Sequence, residues 1–127
     1  MTYRVSPEEF DGIVVDALEQ LAPEFFERLQ SENVDIVVES EPTLTQRADL
    51  GLDPGDTLFG LSEGVSLRDG GSHNASMPSK ITIFQRPIED EVDSLEELED
   101  EVLRTVWHEV GHFLGFDEEE VAEMGLG

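Results

Sequence analysis

Ser94-Leu95-Glu96-Glu97 opens the stretch of sequence that decides the fold, and His108-Glu109-Val110-Gly111-His112-Phe113-Leu114-Gly115-Phe116-Asp117-Glu118 closes it. Ser94 followed by Glu97 is a capping box, in which a serine hydroxyl and a glutamate satisfy the free amides of a first helical turn. The helix is expected to run to about Gly115, where glycine can take the left-handed conformation that ends a helix. At roughly 100° per residue, Leu95, Leu98, Val102, Val106, Val110 and Phe113 fall within one apolar arc. Glu101, Thr105, His108 and His112 form a stripe beside that arc, so the two histidines stack one turn apart at the border of a core. Trp107 projects to the opposite side and reads as packing.

That stacking has chemical meaning. His108-Glu109-Val110-Gly111-His112 matches HExxH: imidazoles at this spacing face the same way, close enough to hold one Zn²⁺ at about 2.0–2.1 Å. Glu109, beside the first histidine, then reaches a metal-activated water rather than the metal, and can take its proton as the water attacks a peptide carbonyl. Two solvent-facing or core histidines would be the plain structural alternative, but the chain has only 3 histidines and two of them fall in the motif. His73, the remaining one, sits in a Gly/Ser-rich loop and is left out of the site. With no cysteine in the chain, any metal must be held by nitrogen and oxygen. Two imidazoles leave zinc under-coordinated, and Glu118 completes an HExxHxxGxxE string as the third ligand, with Asp117 and Glu119 the alternatives. The same acidic group also suits the start of a short last helix through Val121 and Met124, a role compatible with ligation.

Working back towards the N-terminus, Ser6-Pro7-Glu8-Glu9 gives a capping serine, a proline at the first helical position and a glutamate at the third. Phe10, Ile13, Val14, Ala17, Leu18 and Leu21 continue at helical spacing, and Pro23 ends that helix or starts a second through Phe25, Phe26 and Leu29. Val34, Ile36 and Val38 alternate with Asp35, Val37 and Glu39 as a strand with one buried face, stopped by Pro42. A polar stretch and the turn Asp53-Pro54-Gly55-Asp56 precede a second strand candidate, Thr57 to Leu61. Arg68 to Ser79 reads as a loop, and Ile81 to Phe84 as a third strand ended by Pro87. This strand leads towards the helix of the histidines and is a candidate for main-chain hydrogen bonds to a peptide through residues 80 to 86. Nine of the thirteen residues from Glu89 to Glu101 are acidic, which reads as a solvated approach to the next helix.

Leu58-Phe59-Gly60-Leu61-Ser62-Glu63-Gly64, Pro78-Ser79-Lys80-Ile81-Thr82-Ile83-Phe84, Pro87-Ile88 and the extended HExxH string together make the chain similar to the minimal zincins, small stand-alone proteins of zinc metallopeptidase type from bacteria and archaea. The resemblance implies an α+β, zincin-like fold over residues 1–127 as a single domain. A small sheet of about three strands would pack against an N-terminal helix and a C-terminal HExxH helix. It also carries ligand roles to His108, His112 and Glu118, and the general base to Glu109; family members often have aspartate at the third-ligand position. The expected activity is zinc-dependent hydrolysis of peptide bonds. Two other readings compete. The spacing from His108 to Asp117 resembles the rRNA-maturation metalloendoribonucleases, but that family places a histidine where Glu118 stands and lacks a glutamate at Glu109. A metal- and peptide-binding module without turnover is the other, since so short a chain has little material to wall a deep pocket.

Composition sets the outer limits. With 31 acidic and 7 basic residues, Lys80 being the only lysine, the formal charge is −24. Phosphate recognition draws on clustered lysine and arginine, so nucleic acid is not an expected partner. Self-repulsion of this size suits a high-salt, halophilic setting, in which ions screen charge over a few Å. The start of the chain lacks the apolar run of a signal peptide and no later run approaches a membrane span, so a soluble, cytoplasmic protein is expected, monomeric by default and acting on peptide or protein substrates.

Overall fold

The computed structural model describes residues 2–21, 23–53, 56–63 and 79–115. Helices α1 (Pro7–Glu19) and α2 (Pro23–Ser31) come first, followed by strand β1 (Asp35–Glu39), helix α3 (Leu44–Asp49) and strands β2 (Gly60–Glu63) and β3 (Lys80–Phe84). A short helix α4 (Gln85–Glu89) then leads to the long helix α5 (Leu95–Phe113). The three strands form one mixed sheet in the order β1-β3-β2, giving the α+β architecture expected from the sequence.

Strand β3 is central, parallel to β1 and antiparallel to β2. Its register places Ile36 opposite Ile81 and Val38 opposite Ile83. On its other side Ser62 faces Ile81 and Gly60 faces Ile83. Residues directly opposite one another in a sheet share a face, so Gly60 and Ser62 lie on the same side as the apolar pairs. That side packs on the helices: Ile81 and Ile83 join Phe10, Val14 and Ala17 of α1 and Leu98, Val102, Val106, Val110 and Phe113 of α5 in one buried cluster. Phe10, Leu98, Val102 and Val106 are fully buried, each worth roughly 1.5–3 kcal/mol over exposure to water. Trp107 packs against this cluster from the far side of α5, and its indole Nε1 donates to the carbonyl of Ala17 at 3.1 Å, tying α5 to the end of α1.

Both serine caps form as the sequence indicates. Ser6 accepts from the Glu9 amide at 3.1 Å, and Ser94 from the Glu97 amide at 3.2 Å. Helix α5 ends where glycine allows it to end, with Gly115 at φ 93° and its amide donating to His112 O at 3.0 Å. The turn from α2 into β1 uses Asn33 at φ 55°, a left-handed position that asparagine tolerates better than branched residues do.

Several expectations are corrected. The second strand is Gly60–Glu63 rather than Thr57 to Leu61, because the ladder with β3 begins only where Gly60 meets Ile83; Phe59 contributes a single bond, its carbonyl accepting from Phe84 N at 2.9 Å. The polar stretch after Pro42 contains α3, held by a capping box between Thr43 and Gln46, and it buries no side chain, so no apolar periodicity marks it. Pro87 does not simply end β3: it sits in the first turn of α4, where a missing amide hydrogen costs nothing. Leu95 stands 43% exposed at the first position of α5, one turn short of where the core begins at Leu98. Glu89 belongs to the acidic run but is 1% exposed. It accepts from Val5 N at 2.9 Å, Gln85 Nε2 at 3.0 Å and Arg4 Nη1 at 3.2 Å, and so fastens the N-terminal arm to α4. Among the described residues no helix is long and apolar enough to cross a membrane.

Candidate metal centre

Helix α5 brings the stripe predicted from its periodicity to one border of the core. His108 and His112, both half-buried, approach through their Nε2 atoms, 3.1 Å apart, with ring centroids 4.5 Å apart and planes at 65°. Two nitrogens bound at about 2.0–2.1 Å to one tetrahedral ion lie about 3.3 Å from each other. The observed separation is therefore close to that of two donors converging on a common cation. The same 3.1 Å is hydrogen-bond distance, so without a metal one ring nitrogen can donate to the other, and when the pair binds a metal each Nδ1 is the site for the ring proton.

Glu109 turns towards β2. Its Oε1 accepts from Ser62 Oγ at 2.9 Å, and the same hydroxyl lies 3.2 Å from the Glu109 main-chain oxygen. Gly60 abuts the side chain so closely that a Cβ added there would fall 2.8 Å from Glu109 Cγ and 3.1 Å from Thr105 Cγ2. Alongside runs a cleft of about 500 Å³ lined by Thr57, Leu58, Phe59 and Gly60 on one wall and by Glu101, Arg104, Thr105, His108 and Glu109 on the other. Arg104 Nη1 pairs with Glu101 Oε2 at 3.2 Å on the outer rim. The cleft thus joins the histidine stripe to the chain just before and at the start of β2.

Of the sequence-predicted set, the structure brings His108 and His112 together and turns the Glu109 carboxylate to Ser62 on the adjoining cleft. Glu118, with its alternatives Asp117 and Glu119, lies outside the described residues, as do His73 and Met124. Among the described residues no group of three or more histidines and carboxylates could hold a metal. Ser62, Gly60 and Arg104 were not marked by the sequence as part of the site. A glycine opening a strand is a signal of close approach by another chain segment and points to Gly60, whereas Ser62 is marked only by lying in the Leu58 to Gly64 stretch that carries the family resemblance, with no role attached to it.

A sequence model of the family described as zincin-like metallopeptidase matches residues 31–127. The chain belongs to that family. The match runs through β1, β2, β3 and α5 and continues over the segment holding Glu118. No curated protein matches the chain. In this zincin-like protein β3 cannot offer an edge to a peptide, contrary to the expectation for residues 80 to 86, because β1 and β2 occupy both of its sides. Within the described sheet the edge beside the cleft is β2.

Proposed function

We propose that the chain is a zinc-dependent peptidase, acting as one domain over residues 1–127, in which His108, His112 and Glu118 hold the metal and Glu109 is the general base. The observation that carries the reading is the convergence of the two Nε2 atoms at 3.1 Å, with the Glu109 carboxylate on the adjoining cleft. A donor set of two imidazoles and a carboxylate suits zinc chemically. Bound there, zinc would supply an acidified water and a Lewis acid for a peptide carbonyl.

The chain's own residues do the rest. Glu109 receives the proton of the attacking water and returns it to the departing amine, the work a carboxylate does when held within hydrogen-bond reach of both. Thr57 to Phe59 on the cleft wall, and the side of β2 that no strand pairs among the described residues, suit a peptide in the strand conformation, so main-chain hydrogen bonds would hold it without regard to sequence. Leu58 and Phe59 add apolar surface for its side chains.

Glu109→Gln tests the assignment. It keeps the size of the side chain and removes the base, so zinc should stay at one per chain while cleavage of an unfolded protein falls by orders of magnitude. Undiminished cleavage by that variant removes Glu109 from its role, and absence of stoichiometric zinc in the parent protein removes the enzyme.

A further inference from the structure

We infer that Ser62 is the positioning residue for Glu109, a role that rests on the reading of Glu109 as the base. Glutamate has three side-chain torsions and is among the side chains that lose most rotamer freedom when fixed. A base that must meet a water proton needs that freedom removed before substrate arrives. Ser62 and Gly60 remove it together. The Ser62 hydroxyl spans the main-chain oxygen of Glu109 at 3.2 Å and the Oε1 of the same residue at 2.9 Å, so one donor touches both ends of the side chain. The bare backbone of Gly60 closes on the Cγ and Cδ between them.

The donor stands on a strand paired into the sheet. Ser62 sits opposite Ile81 in the ladder with the central strand, and the next residue, Glu63, pairs with Lys80 at 3.8 Å. Gly60 and Ser62 share one face of β2 by the two-residue period of a strand, which is why both reach the same helix residue. A hydroxyl donating to an ionised carboxylate makes one of the stronger hydrogen bonds available to a neutral side chain. Ser62 touches neither substrate nor metal in this scheme; it acts through Glu109.

Ser62→Ala and Ser62→Thr, compared with the parent protein, test the inference by steady-state cleavage of an unfolded protein, zinc analysis and crystal structures. The alanine variant should lose roughly 10- to 100-fold in kcat, with KM unchanged and zinc still at one per chain. The threonine variant keeps the hydroxyl on a side chain suited to a strand and should recover most of the loss. The Glu109 carboxylate should occupy one conformer in the parent crystal and several in Ser62→Ala. An alanine variant within twofold of the parent in kcat, an equal loss with threonine, or a single unchanged Glu109 conformer in both crystals overturns the inference. If the parent cleaves nothing but Glu109 still passes from one conformer to several on loss of the hydroxyl, the positioning stands and the peptidase reading falls.

Discussion

A methyl group at position 60 is the sharpest probe of how tightly the site is built. In Gly60→Ala the new Cβ would lie 2.8 Å from Glu109 Cγ, 3.1 Å from Thr105 Cγ2 and 3.3 Å from Glu109 Cδ. Carbon atoms rest at about 3.5–4.0 Å, so the closest contact is short by about 0.7 Å or more. Gly60 is not one of the left-handed glycines, so the substitution tests contact and not backbone strain. Strand β2 is held by the Gly60–Ile83 pairing and α5 by its buried face, which leaves the Glu109 side chain as the part that yields. Overpacking of this kind costs about 1–3 kcal/mol, and the thermal midpoint should drop by about 3–6 °C for each of them. A domain with about 5–15 kcal/mol in hand stays folded. Turnover is the more sensitive readout, because displacing a reacting group by about 1 Å can cost around 100-fold. The expected outcome is kcat down about 10- to 100-fold with zinc still at one per chain, since neither imidazole is among the nearest neighbours of the new atom. Parent-level turnover in a folded Gly60→Ala protein would refute the argument, showing that the carboxylate at this position does not limit the reaction.

Glu118→Ala should weaken zinc binding by more than about 100-fold in a chelator competition, with Asp117→Ala and Glu119→Ala changing it by less than about tenfold; the opposite ranking moves the third ligand. Glu89→Ala leaves the Val5 amide without its acceptor and takes from Gln85 Nε2 one of two, the Val5 carbonyl remaining, so the urea midpoint should fall by the equivalent of about 1–3 kcal/mol at constant m. The Arg4 contact adds little to that loss, since its side chain is 43% exposed. With a formal charge of −24, the melting temperature should climb as potassium chloride shortens the screening length from about 30 Å at 0.01 M to about 3 Å at 1 M; a flat profile speaks against adaptation to salt.

What could be read beforehand followed from the local physics of each segment. Helices α1 and α5 announce themselves because a capping serine and an apolar repeat say the same thing twice, and the structure buries Phe10, Val14, Leu98, Val102 and Val106 as that repeat requires. The histidine stripe was visible for the same reason: a helix fixes the direction of residues one turn apart. Helix α3 escaped because it packs nothing, leaving only the Thr43–Gln46 cap as a trace. The roles of Ser62 and Glu89 escaped for a different reason. Each depends on a partner 47 or 84 positions away in the chain, Glu109 for the one and Val5 for the other, and no pattern within a segment encodes such a meeting. The same holds for strand order, which puts β3 in the centre of the sheet and takes from it the edge expected for residues 80 to 86.

The indole that ties α5 to Ala17 belongs to the single tryptophan of the chain. It precedes His108 by one residue but looks the other way, into the seam between α1 and α5. Tryptophan emission, excited at the red edge where Tyr3 does not absorb, therefore arises from one place and reports the parting of those two helices during denaturation without any label. Because the seam and the histidine stripe occupy different sides of one helix, a zinc titration followed by that signal can reveal whether loading the metal stiffens the whole of α5 or only its last turns.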